Sequence, residues 1–139
     1  MPKDLFLGFD FGYKRIGVAV GQRLTGSASP LTILPAKQGV PNWLQLQNLV
    51  KQWQPQALVV GYPTCIDGKE QYTTEAARVF ALALKECCSL PVHLVDERLS
   101  SVEARAYLFE QGGYRQLKKT GVDSLAACVI LEQWLRQEL

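Results

Sequence analysis

The chain has 139 residues, enough for one domain with a real core. At 47% hydrophobic and 20% charged it has the composition of a globular protein rather than a disordered one. Fifteen basic residues against thirteen acidic give a net charge of +2, which favours a polyanionic partner only where charge is locally concentrated.

Strand-like sequence begins by Leu5, with no signal-peptide core ahead of it and no apolar run of membrane-spanning length. A cytoplasmic protein with no membrane association is expected. Cys65, Cys87, Cys88 and Cys128 show no C-x-x-C spacing and are joined by a single histidine, His93. That pattern argues against zinc and for reduced thiols. No linker or repeat divides residues 1–139, so a single domain is expected.

Residues 5–10 and 16–20 read as a β-hairpin, with Asp10 closing the first apolar run and Gly12 and Gly17 allowing close approach. Residues 28–34 read as a third strand, placed at an edge or bulge by Pro30. Asn42 to Trp53 reads as a helix stopping before Pro55, with Trp43, Leu46, Leu49, Val50 and Trp53 on one face. The run Ala57-Leu58-Val59-Val60 suits a buried central strand. Residues 64–72 read as a polar loop, and Thr73 or Thr74 as the cap of a helix to about Cys88. Pro91 to Val95 reads as a strand. Ser100 to Glu103 offers a capping box for a helix ending at Gly112-Gly113, and residues 114–121 read as a basic loop. A last helix runs from about Asp123 to Glu138. The order predicts an α/β fold: a mixed five-stranded sheet, three antiparallel strands then two parallel, with helices on both faces.

Three carboxylates stand at element ends. Asp10 closes the first strand, as a turn-starting acid or as a metal ligand. Asp96-Glu97-Arg98 follows a strand whose alternation lets only one acid face a given side. Glu97 is favoured and Asp96 is second, against a plain surface ion-pair cluster with Arg98. Asp123 opens the last helix, as an N-cap or as a buried-face acid. Ala126, Ala127, Ile130 and Trp134 lie three, four, seven and eleven residues on and share its stripe. Three carboxylates meeting at sheet and helix ends would suit a divalent metal and phosphodiester chemistry. Lys14 and Arg15 on the hairpin turn, and the run containing Arg115, Lys118 and Lys119, offer phosphate contacts or are solvated charge. Trp43, Trp53 and Trp134 read as core, and His93 as a strand residue rather than a ligand.

Four segments together resemble one family. Asp10-Phe11-Gly12-Tyr13-Lys14-Arg15-Ile16-Gly17-Val18-Ala19 is similar to the opening motif of the YqgF proteins. These are described both as Holliday-junction resolvases and as pre-16S ribosomal RNA nucleases. Val60-Gly61-Tyr62-Pro63 with Asp67-Gly68 resembles the second motif, and Asp96-Glu97-Arg98-Leu99-Ser100-Ser101 the third. The segment from Lys118 through Asp123 to Ala127, with Ile130-Leu131, resembles the fourth. Gly21-Gln22, Tyr62 and Thr64-Cys65-Ile66 depart from the family pattern. The resemblance implies a ribonuclease H-like fold and a magnesium- or manganese-dependent endonuclease. It implies that Asp10, Glu97 and Asp123 are the metal ligands and catalytic residues. Lys14, Arg15, Arg98, Arg115, Lys118 and Lys119 would contact nucleic acid, either structured RNA in ribosomal precursor particles or branched DNA. Two readings from other classes compete: an actin-like phosphoryl-transfer domain, for which the chain is short, and a non-catalytic nucleic-acid or ribosome-binding module.

Overall fold

The computed structural model describes residues 4–63, 70–97 and 122–137, with the backbone alone at 62–63, 70–74, 96–97, 122–126 and 137. The predicted capping box at Ser100, the basic loop, and Arg98, Arg115, Lys118 and Lys119 lie outside these residues. So does the part of the predicted polar loop at 64–69.

Strands β1 (Leu5–Asp10), β2 (Arg15–Gln22), β3 (Ser27–Lys37), β4 (Val40–Pro41), β5 (Ala57–Pro63) and β6 (Val92–Glu97) form one sheet in the order β4-β3-β2-β1-β5-β6. The first four pair antiparallel, while β5 runs parallel to β1 and β6 parallel to β5. The sheet therefore has six strands where five were expected. The extra one, β4, is a two-residue strand returned by the turn at Gln38 and Gly39, whose φ angles are 51° and 83°. Two consecutive left-handed residues make the tight hairpin turn whose twist matches the strands. Pro30 sits beside an irregularity in the β2–β3 pairing, where Val18 pairs Thr32 and Ala19 pairs Pro30, so Leu31 is the extra residue. There β3 has β2 on one side only, because β4 reaches just Ala36 and Lys37. A residue without an N–H is tolerated at such a place.

Strand alternation divides the core in two. Leu7, Phe9, Phe11, Ile16, Val18, Leu58 and Val60 face helices α1 (Trp43–Trp53) and α2 (Glu70–Cys88). Phe6, Ala19, Ala57 and Val59 face α3 (Val122–Gln137). β5 lies between two strands, with Leu58, Val59 and Val60 wholly buried. Such a strand carries apolar residues on both faces, which is why its sequence runs apolar without alternation.

Helix α1 begins where Asn42 accepts the Gln45 N–H at 3.1 Å and ends at Gln54, left-handed with φ 50°, just before Pro55. Leu46 and Val50 are buried, while Trp43, Leu49 and Trp53 pack half-buried against the same core. Helix α2 corrects the expected boundary. It starts by Glu70, so residues 70–72 are helical and Thr73 and Thr74 lie inside the helix rather than capping it. Glu70 and Gln71 are better helix formers than threonine, and their propensity outweighs the cap preference that pointed to Thr73 or Thr74. Cys87 and Cys88 end this helix, and Cys87, Cys88 and Cys128 are free thiols.

Candidate functional site

Asp10 is the last residue of β1 and is half-buried. Its parity is that of Phe6 and Gly8, so it belongs to the α3 side of the sheet. Its cross-strand neighbours are Gly17 on β2 and Gly61 on β5. Neither strand adjoining the carboxylate therefore presents a side chain in its row. The next residue is fixed, with the Phe11 N–H donating to the Gly61 carbonyl at 3.2 Å.

The same row continues to Val95 on β6, and the following residues pair Tyr62 with Asp96 and Pro63 with Glu97. Position 97 has the parity of His93 and Val95. The His93 ring meets Trp134 of α3 at 4.9 Å, and Val95 packs on the α3 core. Position 96 has the parity of Val92, which packs on the opposite core. Backbone alternation thus assigns Glu97 to the Asp10 side of the sheet and Asp96 to the other. Glu97 stands two strands over and two residues farther along, about 10 Å across and about 6.6 Å along the sheet.

Helix α3 runs against β1 with its start at the Asp10 end. Trp134 stacks obliquely on Phe6 at 5.2 Å. A Cβ built on Gly8 would lie 2.9 Å from the Leu131 Cβ and 3.2 Å from the Ala127 carbonyl. One built on Gly61 would come into hard contact with the Ile130 side chain, and one on Gly21 would lie 2.9 Å from Leu131 Cδ2. Three glycines thus form the bed on which the helix lies, closer than any side chain allows. Asp123 is four residues, about 6 Å, up the helix from Ala127. Asp10 is two residues, about 6.6 Å, along the strand from Gly8. The first turn of α3 and the end of β1 are therefore level. Farther down the helix, the Glu132 carboxylate accepts the Ala28 N–H of β3 at 2.9 Å, anchoring α3 across the hairpin.

The hairpin turn after Asp10 is fixed from below. The Gly39 N–H donates to the Tyr13 carbonyl at 2.9 Å, and the Ala36 N–H to the Lys14 carbonyl at 2.9 Å. Lys14 and Arg15 are exposed. Sequence reasoning missed the bed of glycines on the α3 side. The signal was present as small residues alternating on β2 at Gly17, Ala19 and Gly21, and on β1 at Gly8.

The donor set suits a hard divalent cation. Carboxylate oxygens bind magnesium and manganese, and the described thiols lie elsewhere, with Cys128 buried under the sheet and Cys87 and Cys88 at the far end of α2.

A family model described as RuvX, Holliday junction resolvase, matches residues 4–137. A protein of Legionella pneumophila (strain Lens) named "Putative pre-16S rRNA nuclease" is 71% identical over 137 residues, covering 99% of both chains. One of the same name from Proteus mirabilis (strain HI4320) is 51% identical over 138 residues, again covering 99% of both. Among solved structures, Thermus thermophilus RuvC in complex with a Holliday junction substrate aligns with a TM-score of 0.60 at 17% identity, covering 97% of this chain and 95% of that one. The fowlpox virus resolvase with Holliday junction DNA aligns at 0.57 and 9%, covering 97% and 99%. These two show the fold, which is ribonuclease H-like. With a family model spanning nearly its whole length and full-length relatives at this identity, the chain belongs to the RuvX (YqgF) family.

Proposed function

We propose that this protein is a metal-dependent endonuclease that hydrolyses phosphodiester bonds at the 5′ end of the small-subunit ribosomal RNA precursor, in the cytoplasm and on precursor particles. One observation carries the reading. The end of β1 at Asp10, the β6 position of Glu97 and the first turn of α3 at Asp123 fall at one end of the same sheet face. The names of the full-length relatives support the RNA substrate.

Asp10, Glu97 and Asp123 would hold one or two magnesium or manganese ions. Such an ion supplies an activated water and charge stabilisation for the leaving oxygen. Asp10, on a central strand, gives the site a rigid floor, and Gly17 and Gly61 keep its row free of neighbouring strand side chains. Glu97, with one more methylene than an aspartate, suits the more distant strand position. Asp123, in the first turn of α3, adds charge where the helix dipole is positive. Lys14 and Arg15 would position the strand through its phosphates, Arg15 in bidentate fashion, with Arg98, Arg115, Lys118 and Lys119 extending that contact.

The family model's description favours a second substrate, the four-way DNA junction. Cleavage of a defined precursor RNA and of a four-way junction, side by side with manganese or magnesium, tests the choice. Cleavage confined to the RNA at its 5′ processing site is expected. Paired, symmetric cuts in the junction with the RNA left intact would replace the ribosomal reading with the recombination one.

A further inference from the structure

Tyr13 stands three residues past Asp10, at most about 10–11 Å along the chain. The residue is 39% exposed, whereas its neighbour Phe11 is buried. The two rings meet edge to face, with centroids 6.0 Å apart and planes at 68°. The backbone beneath is fixed by the bonds from Gly39 and Ala36, so the turn and the β3–β4 hairpin form one ledge. Gly39 makes the close contact feasible: a Cβ there would lie 2.8 Å from Phe11 Cζ and 3.6 Å from Tyr13 Cδ1. Val40, next to it, is 56% exposed. Residues 11–15 and 35–41 carry three cations, Lys14, Arg15 and Lys37, all exposed, and no acid. Among the described residues the ion pairs involve other side chains.

A fixed, partly exposed tyrosine on a ledge that carries three exposed cations and no acid has the chemistry of a base-stacking platform on a polyanion track. We infer that this ledge binds single-stranded nucleic acid leaving the cleavage site, with Tyr13 stacking on a base and Lys37 meeting a phosphate. The inference rests on the nuclease reading for what passes Asp10, and extends it to where the strand goes next. Single-stranded nucleic acid fits better than a duplex because stacking needs an unpaired base face.

The test measures binding of a short oligothymidylate, and of the same strand made abasic, to the full-length protein in chelator. Tyr13→Ala should weaken the oligothymidylate about 5- to 150-fold, the range of one lost base stack, with an unchanged salt slope. Tyr13→Phe should bind like wild type. The abasic strand should bind wild type and Tyr13→Ala equally. Lys37→Ala should flatten the plot of log affinity against log salt by about 0.7, one single-strand phosphate contact. Unchanged affinity in Tyr13→Ala, an equal loss on the abasic strand, or no binding of the oligothymidylate by wild type overturns the inference. Chelator removes cleavage from the readout. A protein that stacks the strand yet cleaves no substrate contradicts the nuclease reading alone.

Discussion

Cys128 in the middle of α3 and Gly61 on the strand beneath that helix show how local chemistry is fixed by packing. Burial, and then the Glu132 carboxylate one helical turn on, push the Cys128 thiol up to about 12 from an ordinary 9.0. Below pH 9 that thiol is neutral in both the folded and the unfolded chain. Between about 9 and 12 the unfolded chain loses the proton and the folded one keeps it. The unfolded state then binds fewer protons, and stability falls as pH rises. Denaturant titrations across that window should show a steeper decline for wild type than for Cys128→Ala, and equal slopes would contradict the burial argument. Gly61 makes the opposite point, since its importance lies in having no side chain. Gly61→Val should cost about 1–3 kcal/mol by overpacking against Ile130, measured by urea unfolding. It should also lower cleavage more than Gly26→Ala, because Ile130 lies two turns from Asp123. Asp10 was legible as an acid ending an apolar run. That Gly17 and Gly61 flank it was not, because pairing across strands far apart in sequence has no local signature.

At the scale of elements, periodicity and caps did most of the work. The β1–β2 hairpin, α1, β5 and α3 were legible because each carries its own pattern and stop signals. Asn42 is such a signal. Asn42→Ala should lower stability by about 1 kcal/mol through the Gln45 N–H it leaves unbonded, read from the shift in the urea midpoint at constant slope. A shift indistinguishable from zero would mean that water replaces the cap in full. The early start of α2 was not legible, since Thr73 and Thr74 are good caps by type and only the helix itself shows they are interior. β4 escaped because two residues hold no alternation and its turn uses Gln38 where Asn or Asp would have announced it.

Across the whole molecule, the sheet order and the direction of α3 bring the backbone positions of Asp10, Glu97 and Asp123 to one end of one sheet face, although they are separated by up to 113 positions, from Asp10 to Asp123. Family motifs pointed to these residues; the β1–β5–β6 register and the direction of α3 give a physical reason for their positions at one end of the sheet. In the proposed metal site, like charges would repel until a cation binds, and a cation that binds only the folded form stabilises it by mass action. Asp123→Asn should therefore raise the melting temperature in chelator and shrink the further rise produced by manganese. An ordinary helix cap predicts neither change, since asparagine caps about as well as aspartate. The most direct measurement is cleavage of the precursor RNA and the four-way junction by wild type and by Asp10→Asn, with manganese and with chelator, both proteins first shown to melt cooperatively. Metal-dependent cleavage by wild type, falling at least about a hundredfold in Asp10→Asn, is the expected result. Wild-type turnover by a well-folded Asp10→Asn protein would contradict it and remove the carboxylate at the end of β1 from the chemistry.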